Sequence, residues 1–157
     1  MYPKQGHTLT EATKKIEGYC AYQDRCHKEV NDKLRDMGMI PEAIDKIVVH
    51  LIKHNYLNEE RFAKSFARGK FNIKKWGRIR IVNELKNRGI SKYNIQTALK
   101  EIGEGDYVST LDSLAKKRLA SLKEPNLQKR RKKLVDYMLY RGWESDLVYE
   151  KALELIP

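Results

Sequence analysis

Apolar residues along this chain recur three and four apart in short runs, each closed by a glycine or a polar turn. That spacing puts them on one face of a helix. Alternating β-branched runs, the mark of half-buried strands, are nearly missing, so the pattern predicts an all-α fold. Thr8 followed by Glu11 has the form of a capping box and predicts a first helix to about Gln23. Leu9, Ala12, Ile16, Tyr19 and Cys20 are its inward face, and residues 1–7 before it read as a loose arm. A second helix over about 27–37 stops at Gly38, and a third starts at Pro41 and ends near Asn55. Asn58 suits the cap of a helix carrying Phe62, Ala63, Phe66 and Ala67, which Gly69–Lys75 is expected to loosen or end. Helices over about 78–88 and 92–102 follow, the latter capped by Ser91, and Gly103 and Gly105 read as a linker. Asp106 is the expected cap of a helix with the stripe Tyr107, Leu111, Leu114, Ala115 and Leu119. After Pro125, helices over about 126–141 and from the expected cap Ser145 to near Ile156 bring the number to nine.

Three stretches align on a glycine. Eight residues before Gly38, Gly89 and Gly142 stand Val30, Ile81 and Leu134, and four before stand Leu34, Leu85 and Met138. Met39, Ile90 and Trp143 follow immediately, and Ile44, Ile95 and Val148 come six after. Each stretch is helix, glycine stop, helix, with the glycine in the left-handed position just past a helix end. The glycines lie 51 and 53 residues apart, room for three helices per unit. The prediction is three tandem three-helix, helix-turn-helix-like repeats, residues 1–56, 57–103 and 104–157, forming an elongated, curved molecule in which each unit has a small core.

Charge sharpens this picture. From Arg61 to Lys92 there are eleven cations against one acid, Glu84, and from Lys116 to Lys133 nine against Glu124. The whole chain is only +11, so the second and third units hold the positive charge and the first is near neutral or acidic. A solvated helical face is the plain alternative, but so dense a stripe attracts phosphates through counterion release. Arg68, Lys70, Lys74, Lys75, Arg78 and Arg80 are the first candidate patch, flanked by Arg61 and Arg88. Lys129, Arg130, Arg131, Lys132 and Lys133 are the second. Trp76, Phe71 and Tyr93 lie near the cations and are candidates for stacking on unpaired bases, with core packing as the competing role.

Certain residues carry a resemblance. Glu60-Arg61-Phe62-Ala63 opens one helix and Trp76-Gly77-Arg78-Ile79 precedes the next; Arg80, Leu85, Arg88-Gly89-Ile90, Ile95, Ala98 and Leu99 follow in order. Over about residues 57–102, and more weakly through the outer repeats, the chain resembles the bacterial recombination regulator RecX. The resemblance implies a modulator of the RecA recombinase that binds in the helical groove of the RecA–single-stranded DNA filament. It implies limited filament growth, lower ATP hydrolysis, less strand exchange and less cleavage of the LexA repressor, with some relatives assisting instead. The alternative is a helix-turn-helix or nucleoid protein acting on single- or double-stranded DNA without RecA. The second helix of unit two offers few base-reading side chains (Asn94, Gln96, Lys100), which disfavours sequence-specific readout.

Other chemistries find little support. His50 and His54 lie four apart, but the helix lacks the glutamate of a metalloprotease motif and a third ligand. Cys20, Cys26 and His27 lack zinc spacing, so the cysteines read as reduced thiols and no metal is expected. No phosphate-binding glycine loop precedes a lysine, and Glu59 and Glu60 at a helix start answer to its dipole. The expectation is a non-enzymatic, cofactor-free monomer, cytoplasmic, with neither signal peptide nor membrane contact.

Overall fold

Thr8 accepts a hydrogen bond from the Glu11 N–H at 3.1 Å, and its hydroxyl donates to the Glu11 carboxylate at 3.0 Å, which starts the first helix. The computed structural model describes residues 6–157, so most of the arm expected over residues 1–7 lies outside the described residues. Residue 7 is tied down, because the His7 N–H donates to the Met37 carbonyl at 3.2 Å. Among the described residues there are nine helices and no strand. They are α1 (Leu9–Tyr22), α2 (His27–Asp36), α3 (Pro41–Lys53), α4 (Glu59–Asn72), α5 (Arg78–Asn87), α6 (Lys92–Leu99), α7 (Glu104–Ser121), α8 (Leu127–Tyr140) and α9 (Ser145–Leu155).

The glycine stops behave as the alignment requires. Gly38, Gly89 and Gly142 have φ of 83°, 74° and 91°, a region that penalises any Cβ. The apolar positions aligned on them are buried, with one exception: in the first unit Met37 fills the core and Met39 is only half-buried. Leu9, expected inward, is 47% exposed. Gly69 does not end α4, which runs on to Asn72; a glycine inside a helix costs only about 1 kcal/mol. Gly103 caps α7, so Gly105 and Asp106 are helical rather than linker and cap. Glu144 precedes α9 as its cap residue and Ser145 is its first helical residue. Asp106 in the first turn of α7 still suits the positive helix end.

The cores do not divide three ways. Ala12, Ile16, Val30, Leu34, Ile44, Ile47 and Leu51 pack α1–α3 together as one cluster. From α4 to α9 a single cluster runs on without a break. Large rings fuse the second and third units: Tyr107 lies 4.5 Å from Trp143 and 5.9 Å from Phe71, centroid to centroid. Phe71, a stacking candidate from the sequence, is therefore core. Cys20 and Cys26 are free, buried thiols. His50 directs Nε2 to the Glu17 carboxylate at 3.2 Å, tying α3 to α1. No described helix is long and apolar enough to cross a membrane.

Candidate nucleic-acid interface

The basic loop between α4 and α5 is held from outside its own unit. Lys75 sits at φ 58°, a left-handed conformation that a lysine keeps only where its surroundings impose it. Its carbonyl accepts from the Trp143 indole N–H at 3.1 Å, and the Lys74 carbonyl accepts from the Arg141 guanidinium at 2.9 Å. In return the Gly77 and Ile79 N–H groups donate to the Arg141 and Gly142 carbonyls at 2.8 and 3.0 Å. The turn after α8 thus clamps the loop, and its cations project from a fixed backbone.

Over this loop runs a line in which cations and rings alternate. The Arg88 guanidinium lies 4.8 Å from the Phe66 ring centroid, and the Lys70 ammonium lies 5.4 Å from Phe66 and 5.0 Å from Trp76. Arg80 lies 4.1 Å from Trp76 and 5.2 Å from Tyr140. Each contact is attractive through the ring quadrupole and also holds a long side chain extended. Phe66 and Trp76 are half-buried and meet edge to face at 6.3 Å; Tyr140 is 78% exposed. Ordered cations between partly open rings can take phosphates and stack bases along a single strand.

The other candidates from the sequence divide. Arg61 is turned inward: it binds Asp24 at 2.7 Å and donates to the Asn55 and Tyr56 carbonyls at 3.0 and 3.3 Å, which joins α4 to the first unit. Arg78 is likewise a clasp. Its guanidinium lies 3.8 Å from the Tyr107 ring, pairs with Glu144 at 3.1 Å and reaches Glu104. Its N–H donates to the Tyr107 hydroxyl at 2.9 Å, and that hydroxyl donates to Glu144. Burial first, then the bond to Glu144, pushes the Tyr107 hydroxyl well above the ordinary tyrosine range, so it stays a donor. Arg68 pairs with Glu101 at 3.4 Å and Arg88 with Glu84 at 2.9 Å.

The run Lys129–Lys133 winds round the start of α8, about 15 Å along the helix from Arg141. Lys132 meets Asp136 at 2.8 Å, Lys133 meets Glu124 at 3.3 Å and Arg131 donates to the Ile156 carbonyl at 3.0 Å, while Lys129 is exposed and Arg130 half-buried. The structure therefore gathers Lys70, Trp76, Arg80 and Arg88 on the line, places Lys74 and Lys75 beside it, and separates the second patch. Tyr93 is exposed on α6, outside the line. Sequence reasoning passed over Tyr140, Phe66 and Arg141. Arg141 was within reach, since Arg precedes the stop glycine in both Arg88-Gly89 and Arg141-Gly142.

Comparison with known proteins agrees with this geometry. Residues 58–99 match the profile of the second three-helix domain of RecX, and residues 105–151 that of the third. The regulatory protein RecX of Pelodictyon phaeoclathratiforme is 31% identical over 128 residues, covering 82% of this chain and 78% of the relative. That of Oceanobacillus iheyensis is 26% identical over 92% of this chain, which spans about half (53%) of the relative's length. The crystal structure of RecX from Lactobacillus salivarius superposes with a TM-score of 0.80 at 25% identity, covering 94% of this chain and 96% of that one. The all-helical repeats, the matched domains and the identity over most of the chain lead to one assignment: this chain belongs to the RecX family of regulatory proteins.

Proposed function

We propose that this protein binds within the groove of the RecA–single-stranded DNA filament and inhibits it. Filament extension, DNA-dependent ATP hydrolysis, strand exchange and LexA cleavage all fall as a result. The observation that carries this reading is the line Arg88–Phe66–Lys70–Trp76–Arg80–Tyr140, which crosses from the second unit to the third. Such a line suits an extended strand with its bases unpaired better than the rigid major groove of a duplex. Family membership supports RecA as the protein component. Units 1–56, 57–103 and 104–157 act as successive contact modules of an elongated stack spanning more than one RecA protomer. The protein works as a cytoplasmic monomer and catalyses nothing itself. Arg61 and Arg78 keep the modules in register, and Lys129–Lys133 is a separate contact.

Co-sedimentation with RecA filaments formed on single-stranded DNA tests this reading. Saturable binding to the filament, tighter than to the same DNA without RecA, is the expected result. Equal affinity for filament and bare DNA would favour a DNA-binding module that acts without RecA.

A further inference from the structure

The seam between the second and third units carries a basic feature beyond the cation–aromatic line. Lys74 and Lys75 from the α4–α5 loop, Lys117 and Arg118 from α7, and Arg141 after α8 line one cleft of about 310 Å³. No acidic side chain lines it, and among the described residues none of the five cations enters an ion pair. The contrast with Arg61, Arg78 and Arg88, each matched to a carboxylate, is sharp. Tyr137 separates the two arginines, with Arg118 at 4.7 Å and Arg141 at 4.6 Å from its ring centroid. The Arg118 Nε is buried and has no hydrogen-bond partner among the described residues. Leaving a charged donor unmatched in a concave, partly dehydrated site is costly, and so is bringing five cations together. An anion that enters the cleft relieves the crowding of its cations. A second cleft of about 230 Å³ shares Lys75, Leu114 and Lys117 with the first and adds the hydroxyls of Ser109, Thr110 and Ser113.

We infer that this seam is a seat for consecutive backbone phosphates of a nucleic-acid strand, running from the five-cation cleft into the hydroxyl-lined one. A phosphodiester chain supplies closely spaced negative charges on one covalent thread, so one ordering event satisfies several cations. Acidic side chains of a protein would each have to be ordered separately, at a separate entropic cost. The seat completes the division of labour: bases meet the rings of the line while phosphates follow the seam. The inference rests on the nucleic-acid half of the reading above and adds Lys117, Arg118 and Arg141 to it.

The test changes Lys74→Glu and Lys117→Glu, which come from different walls of the cleft, singly and together. Lys46→Glu, an exposed lysine on α3, controls for the charge change alone. Binding to a fluorescein-labelled oligo(dT) is measured by anisotropy over a salt series, and binding to RecA filaments on the same strand is measured alongside. The double variant is expected to lose about tenfold or more in affinity for the bare strand and to show a shallower salt dependence, against little change for Lys46→Glu. A loss no greater than the control's would overturn the seat. Bare-strand affinity that holds while filament binding falls would also overturn it, assigning the cleft to an acidic RecA surface and leaving the filament reading intact. If the unaltered protein binds no filament yet the cleft variants lose the bare strand, the seat stands and the RecA reading fails.

Discussion

Gly77 and Gly142 meet backbone to backbone at the junction of the second and third units. A Cβ on Gly77 would overlap the Gly142 carbonyl and lie 2.5 Å from the Trp143 nitrogen; one on Gly142 would run into Arg80. The same approach makes possible the hydrogen bonds from Gly77 and Ile79 to Arg141 and Gly142. Glycine at these two positions therefore serves contact between units, at Gly142 in addition to its turn at φ 91°, and the α4–α5 loop inherits its shape from that contact.

Gly77→Ala should accordingly destabilise the protein by about 2 kcal/mol or more, because backbone must move. Gly89 differs in having a left-handed φ of 74° and open space around it, so Gly89→Ala should cost only about 1 kcal/mol. Urea denaturation of both variants checks the order. Equal losses would show that the close approach at Gly77 is not stabilising.

Arg78 and Glu144 form the second tie across that junction. Arg78→Ala should cost about 1.5 kcal/mol, since Glu144 loses its ion partner and the Tyr107 ring its guanidinium in a half-buried site, while the backbone N–H to the Tyr107 hydroxyl stays. A double-mutant cycle with Glu144→Gln should show a coupling of about 1 kcal/mol. Additive losses would mean the pair contributes nothing beyond its separate contacts.

Alkaline pH should weaken the fold through its cysteines. Burial raises the thiols of Cys20 and Cys26 from 9.0 to about 11. The unfolded chain ionises them near 9.0 while the folded chain keeps them protonated, so their contribution is whole below pH 9.0 and is lost as pH rises towards 11. Tyr107 acts in the same direction above its ordinary value of 10.0. Urea denaturation should show a loss of roughly 1 kcal/mol per thiol between pH 8 and pH 10, reduced in the Cys20→Ala, Cys26→Ala double variant. A flat profile over that interval would contradict the assignment.

Trp76 is the half-buried tryptophan and Trp143 the fully buried one, so emission changes on ligand binding should come from Trp76. Single-stranded DNA should quench the fluorescence of the unaltered protein, and Trp76→Phe should remove that response. Lys70→Glu with Arg80→Glu should weaken DNA binding about tenfold at moderate salt while leaving helix content unchanged. Full quenching in Trp76→Phe would place the contact elsewhere.

Local chemistry was legible in the sequence, and long-range pairing was not. The stop glycines announced themselves because only glycine takes φ near 80° without cost, and the caps Thr8, Asn58 and Ser91 because a short oxygen side chain can serve a free N–H. Asp106 and Ser145 misled for the same reason: they stand in first turns, where such residues are also favourable. The basic segment was visible as charge, but its members could not be sorted. Arg61 and Arg78 find their acids 37 and 66 positions away, so no local spacing marks them as ties. The cation–aromatic line stayed hidden because Tyr140 joins it from the next unit. The fused core was equally invisible, since it depends on Phe71, Tyr107 and Trp143 meeting across two units.

The most direct test of the central claim is ATP hydrolysis by the cognate RecA on single-stranded DNA, titrated with this protein at substoichiometric amounts. Filament capping or disassembly predicts that the rate falls well before one molecule is present per RecA. An unchanged rate at equimolar protein, alongside tight, salt-sensitive binding to bare DNA, would contradict the account and leave a plain DNA-binding protein.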